Sequence, residues 1–409
     1  MMNNTFKKLV VILGVIYSGF TSAGHSHSTP MIDNSKCTQA EFIQYCAKTM
    51  TSTFDSNGRL WSAWTNDHFL YVNYSDDKGK TFSKATKVNM VAENISARHE
   101  HRPKIIVSKN GDIYLTWTQK LKKRFTGNIR FSKSTDKGKN FHTPITINDN
   151  NEMISHRFDA LGVNNFGDIY ISWLDKRDSK KAKKNGQNYN GAAAYFSVSL
   201  DAGKSFSKNL KIADNSCECC RMAIDFDNRD LPVIAWRHIY AGNIRDHSIV
   251  NFKNRIEVNK PNRLSHDNWK LDGCPHHGPS LSINSINTYH AVWFNNAEKR
   301  HGVFYANSHD SGKNFSQPVQ IGSYKNKASH ADIKALNNTV VIVWQEYKKQ
   351  RYQLFMMKSD DNGLHWGQAK LLVETNEKPD YPFVLTDGKI FYASWFIHGQ
   401  AYSLIPLKN

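Results

Sequence analysis

The sequence predicts an all-β chain wound into a β-propeller of four-stranded blades, seven in number, and two observations predict it. A tryptophan closes a short apolar run at Trp64, Trp117, Trp173, Trp236, Trp293, Trp344 and Trp395, with gaps of 51 to 63 residues. A turn of the form S-x-D-x-G-x-x-[FW] recurs at a similar phase after five of them. Self-similarity at a period of about 50 residues is the mark of a closed or stacked repeat architecture. About 385 residues lie beyond the leader described next, more than one ordinary core but natural for a ring.

Residues 1–23 carry Lys7 and Lys8, an apolar run from Leu9 to Phe20 and a small-residue exit at Thr21, Ser22 and Ala23. This is the pattern of a secretory signal peptide, so the mature chain is expected to start near Gly24 in a periplasm or outside the cell. The apolar run falls short of the ~20 residues a membrane helix needs, and no later stretch approaches that length. In residues 24–46, Cys37 and Cys46 are expected to pair in an oxidising compartment. His25 and His27 stand beside the new N-terminus as ordinary terminal histidines.

The propeller occupies residues 47–409. Six complete units run from about Ala47 to Val373, each with a β-type run such as "RPKIIVS", a turn such as "KNGDIY" or "NFGDIY", and then the tryptophan strand. A seventh unit, Tyr381 to Leu407, has three runs. A strand from between Met31 and Cys46 is expected to complete it and close the ring. Six blades is the alternative if one unit is misjudged.

The five turns span Ser75–Phe82, Ser134–Phe141, Ser199–Phe206, Ser308–Phe315 and Ser359–Trp366. In each, the Asp carboxylate can accept from its own turn's N–H groups, the Gly takes positive φ, and the aromatic tucks under the blade. On these residues the chain resembles the Asp-box (BNR) repeat, sialidase-like β-propellers over essentially its whole mature length. The motif is a folding device found in binding and hydrolytic propellers alike, so it and the tryptophans are assigned to packing.

Successive innermost strands begin on the face opposite these turns, with "HEHRPKI" (99–105), "SHRFDAL" (155–161), "CECCRMAI" (217–224), "CPHHGPSL" (274–281), "SHADIKA" (329–335) and "DYPFVL" (380–385). Counted back from each tryptophan, His101, His156, Cys220, His277 and His330 fall at offsets of 16, 17, 16, 16 and 14. Five blades therefore direct a His or Cys toward one axial mouth. Cys217, Cys219 and Cys220 border it, and Cys274, His276 and His277 hold the next blade's equivalent place. Thiolate and imidazole from several blades suit a soft or borderline metal ion, copper or zinc. The alternative is a disulfide from Cys274 to one of the three upstream cysteines, with the histidines as polar rim residues.

The resemblance to sialidases implies an exo-glycosidase in which three arginines hold a sugar carboxylate, an Asp is the acid/base and a Tyr activated by a Glu is the nucleophile. Here those would be Arg102, Arg157 and Arg221, then Asp159, then Tyr381 with Glu346. The chain departs from the family pattern in having Arg102-Pro103 where that pattern has Arg-Ile-Pro, and in drawing its arginines from three consecutive blades. The three guanidiniums can equally pair with Glu100, Asp159 and Glu218 as structural ions.

The long links "KLKKRFTGNIR" (120–130) and "RHIYAGNIRDH" (237–247) share Gly-Asn-Ile-Arg and lie on the mouth face, as does the longest insert, 175–191. The formal charge of +18 follows from Lys spread along the chain. Acidic glycans or an anionic envelope surface remain as partners. No basic block interleaved with aromatics points to nucleic acid. Three readings stand: a propeller with a Cys/His metal centre, a sialidase-type hydrolase, and a non-catalytic binding propeller.

Overall fold

The structure is a computed structural model that describes residues 43–400 and 402–408. Seven antiparallel sheets form in chain order, six of four strands and a last one of three. Their innermost strands are Met50–Phe54, Lys104–Val107, His156–Val163, Ala223–Phe226, Ser280–Ile283, Ser329–Leu336 and Phe383–Thr386. Every sheet is a simple meander from the inside outward. The expected completion of the seventh blade by a strand within Met31–Cys46 lies largely outside the described residues; Ile43–Cys46 is a 3-10 turn. The Cys37–Cys46 pairing also lies outside them, because Cys37 does.

All seven repeat tryptophans sit on second strands and are almost fully buried. An indole carries one N–H that needs a partner when buried, and four blades supply a carboxylate. Trp117 donates to Glu93 (2.8 Å), Trp173 to Asp175 (2.9 Å), Trp293 to Asp267 (2.7 Å) and Trp344 to Glu346 (3.1 Å).

The five repeated turns share one hydrogen-bond pattern. In the first, Ser75 Oγ donates to Asp77 (2.7 Å) and accepts from Gly79 N (2.7 Å), while Thr81 N donates to the same carboxylate (2.8 Å). Donation from Thr81, by backbone and then by side chain, holds Asp77 at about 2. Three turn aromatics reach back to the preceding blade: Phe206 onto Phe131 (4.9 Å), Trp366 onto Tyr305 (4.8 Å) and Phe82 onto Tyr402 of the last blade (6.0 Å). The ring closes there. Lys78 binds Asp387 (2.9 Å), His398 bonds Ala47 O (2.7 Å), and Trp64, Leu60 and Met50 pack with Phe396 and Tyr402.

The insert 175–191 contains the one α-helix among the described residues, Arg177–Lys184. No helix among them is long and apolar enough to cross a membrane.

Candidate functional site

The inner strands begin at the axis, and their first residues plug it with charge. Arg102 binds Asp380 through both guanidinium nitrogens (2.6 and 2.7 Å), joining the second blade to the seventh. Arg221 of the fourth blade lies 3.8 Å from Glu100 and 3.7 Å from Asp332, and donates to Ala331 O (2.9 Å). Asp332 also accepts from Ser280 (2.7 Å) and Val384 N (2.9 Å). Lys104 lies 3.5 Å from Asp159, whose carboxylate takes Thr116 (2.8 Å) and Thr118 (3.2 Å). Buried charges must be paired, and each of these faces an opposite charge, although Lys104 Nζ makes no hydrogen bond of its own.

The pairings differ from those expected. Arg102 takes Asp380 rather than Glu100, Arg221 takes Glu100, and Glu218 pairs with Lys176. Two of the three candidate clamp arginines and the candidate acid Asp159 are thus held in the plug. Glu100, read from sequence only as an ion partner, is its centre. Burial pushes Glu100 up, but Arg221 and His330 outweigh it and hold the group at about 2.

Above the plug runs a column of stacked rings: His99 on Tyr381 (4.6 Å), Tyr381 on His330 (3.3 Å), His330 on His277 (4.2 Å) and His277 on Phe294 (4.2 Å). Burial, then Lys378 and Arg102, lowers His99 to about 4, and burial holds His277 and His101 well below the usual imidazole range. Burial raises the Tyr381 phenol, with Glu100 and Asp380 adding to it.

His238 and His290 are likewise lowered by burial to about 4. Between about pH 6.5 and 4 the unfolded chain binds protons that these folded imidazoles refuse, and each unit of difference is worth about 1.4 kcal/mol. Their stabilisation is complete above pH 6.5 and is lost as pH falls through 4. The unfolding midpoint in urea is therefore expected to fall steadily from pH 7 to pH 5; an unchanged midpoint would contradict the burial of neutral imidazoles.

The three cysteines of the opening cluster form a triangle. Sγ of Cys217 lies 3.7 Å from Cys219 and 3.9 Å from Cys220, and Cys219 lies 4.0 Å from Cys220. All three are buried free thiols. Cys274 is also free in the structure, without a disulfide to the upstream three, and is exposed; its thiol bears on that of Cys219. Arg245 donates to Cys217 Sγ (3.2 Å). Hydrogen bonds from Cys219 and Cys220, with Arg237 and Arg245 nearby, hold Cys217 far below the usual thiol range, while its neighbours are pushed up.

The triangle opens through Cys219 into a cavity of about 580 Å³ at the mouth, shared with His99, His101, His276, Arg157, Phe158 and Tyr381. His276 contacts Cys219 O (3.1 Å). Arg157 lies against His101 (3.3 Å) and over Phe158 (4.9 Å).

Not every predicted residue arrives here. Among the described residues, the one group of three or more Cys, His, Asp or Glu close enough to share an ion is Cys217, Cys219 and Cys220, with no histidine. His101, His277 and His330 are at the mouth but engaged in ring stacking. His156 is sealed off, its Nδ1 on Gly127 O (2.8 Å) and its Nε2 3.7 Å from Asp175. The place sixteen residues before Trp173 belongs to Arg157 (173 − 157 = 16), and that side chain enters the cavity. Glu346 is not beside Tyr381 but caps Trp344 and takes Ser323 N (2.7 Å). Asp175, which like Glu346 stands two residues beyond its tryptophan, was the signal for this role; Glu93 and Asp267 reach their tryptophans from 24 and 26 residues upstream. Arg245 was also missed, although it closes the Gly-Asn-Ile-Arg repeat; its counterpart Arg130 pairs with Glu93 (2.8 Å).

No protein-family model matches the chain, and no curated protein is significantly similar to it. Solved structures do match. A sialidase described as Hadza microbial sialidase Hz136 aligns with TM-score 0.50 and 13% identity over 86% of this chain and 73% of that one. A PL25 ulvan lyase aligns with TM-score 0.54 and 10% identity over 87% and 90%. An α-L-arabinanase of Penicillium chrysogenum aligns with TM-score 0.52 and 13% identity over 89% and 93%. At such identities the likeness is one of fold, a β-propeller.

Proposed function

We propose that this is an exported propeller that binds a soft or borderline metal ion, copper or zinc, at Cys217, Cys219 and Cys220, with Cys274 as the neighbouring fourth sulfur. The sulfur triangle carries the reading. A centre about 2.3 Å from each sulfur sets the sulfurs about 3.8 Å apart in a tetrahedral site and about 4.0 Å apart in a planar one. The observed edges of 3.7, 3.9 and 4.0 Å fall at those values. Metal ligation needs thiolates, and Arg245 and Arg237 supply positive charge beside the first of them. The signal peptide pattern at residues 1–23 and the pairing of Cys37 with Cys46 belong to the same proposal. His101, His156, His276, His277 and His330 are then environment rather than ligands.

The test is metal analysis of protein purified from the exported fraction under reducing conditions. Wild type is expected to hold about one ion per chain, and Cys219→Ser/Cys220→Ser to hold none while keeping the wild-type circular dichroism spectrum. Equal, negligible metal in both after incubation with Cu(I) and Zn(II) would remove the reading.

A second reading is favoured by one observation. The cavity carries Arg157, Lys120 and Arg124 together with Phe125 and Phe158, a composition suited to an acidic saccharide. The ulvan lyase is described as bound to -[GlcA(1-4)Rha3S]-. Glycosidase action by Arg102, Arg221, Asp159, Glu346 and Tyr381 would require the plug to open, so binding without hydrolysis is the expected outcome with a fluorogenic sialoside.

A further inference from the structure

The cavity beside the cysteines holds cations that nothing neutralises. Lys120 is exposed on its wall, and Lys48, Arg98 and Arg157 lie close enough to bear on its ammonium. Lys123 and Arg124 come from the same link. The one carboxylate on the lining, Glu100, is already spent on Arg221, His330 and Gly278 N. Arg157 has no carboxylate within ion-pair distance among the described residues; Glu218, the carboxylate that bears on it, is itself paired with Lys176. Like charges gathered at a concave mouth focus a positive field into it. Cys219, the triangle member that lines this cavity, lies at the inner end of that field.

A hydrated metal cation would approach the sulfurs against this field, and an anionic complex would approach down it. Resting on the metal reading above, we infer that the centre is loaded from an anionic metal complex, which docks on Lys120, Arg124 and Arg157 and passes its ion to Cys219. In the exchange a bond from the ion to its carrier breaks and a bond to Cys219 Sγ forms. The thiol proton leaves to solvent and the ion keeps its oxidation state. The released carrier departs with its negative charge. The arrangement admits metal that is already chelated and holds off the free cation, which suits a compartment where free ions are adventitious.

Two Cu(I) donors of opposite charge test this, the trianionic bicinchoninate complex and the monocationic neocuproine complex. Stopped-flow loss of each donor's colour gives the transfer rate to reduced protein. Transfer from the anionic donor is expected to slow at least about tenfold in Lys120→Ala/Arg124→Ala and to fall steeply with added salt. Transfer from the cationic donor should hold steady or quicken in the same variant. Equal changes for both donors, or a salt-independent rate from the anionic one, would overturn the inference while leaving the metal centre standing. A chain that takes copper from neither donor overturns the metal reading and this one with it.

Discussion

Glu100→Ala is expected to lower unfolding free energy by about 3 kcal/mol, because it removes one of the two carboxylates facing the half-buried Arg221, leaving only Asp332 at 3.7 Å, and strips Gly278 N of its acceptor. The carboxylate is nearly inaccessible and faces Arg221 at 3.8 Å and His330 at 3.8 Å, and it accepts from Gly278 N at 3.0 Å. These partners come from the fourth, sixth and fifth blades, so one deletion loosens four inner strands at the axis. Glu100→Gln should cost less, since the amide oxygen can still accept from Gly278. Urea unfolding of the two variants beside wild type decides the matter. A loss under about 1 kcal/mol for the alanine variant would mean that water replaces the carboxylate and that the plug is wetter than the structure implies.

Gly278→Ala should cost roughly 3 kcal/mol by overpacking. A Cβ there would lie 2.3 Å from Arg221 Cγ, 2.4 Å from Arg221 O and 2.8 Å from Arg221 N. Two of those atoms are backbone and cannot swing aside, so the loop before the fifth inner strand must retreat from the plug. Gly273→Ala, five residues earlier, is the control. Its Cβ would meet only Leu271 at 3.6 Å, and no measurable change is expected. Similar midpoints for both variants in urea would refute the close approach of the two loops.

The blades were legible because their signals are local. A tryptophan in an apolar run and a Ser-x-Asp-x-Gly turn each report on a few neighbouring residues, and the structure keeps both, although the strands run on past most of the tryptophans, by four residues at Trp293 and Trp344. The mouth was legible only in part, because offsets along a strand locate a backbone position and not the direction of its side chain. In the third blade the register shifts between Ser172 and Leu174, and His156 joins the inner strand opposite Asp175. One residue of slip turns a side chain to the other face, so Arg157 takes the cavity and His156 the interior. Glu346 illustrates a second limit. A carboxylate two residues beyond a tryptophan looks the same whether it activates a phenol or caps an indole, and comparison among the repeats was needed to tell. The carboxylate partners of Arg102 and Arg221 lie more than 110 residues away, across blades whose order around the ring no local pattern states.

The ring column through Tyr381 offers a spectroscopic handle. Protons on the His330 imidazole sit between the faces of Tyr381 and His277 at 3.3 and 4.2 Å between centroids, where aromatic ring currents displace resonances upfield. One-dimensional proton spectra in the imidazole region would thus follow occupancy of the mouth in unlabelled protein, and His330→Gln would assign the shifted line.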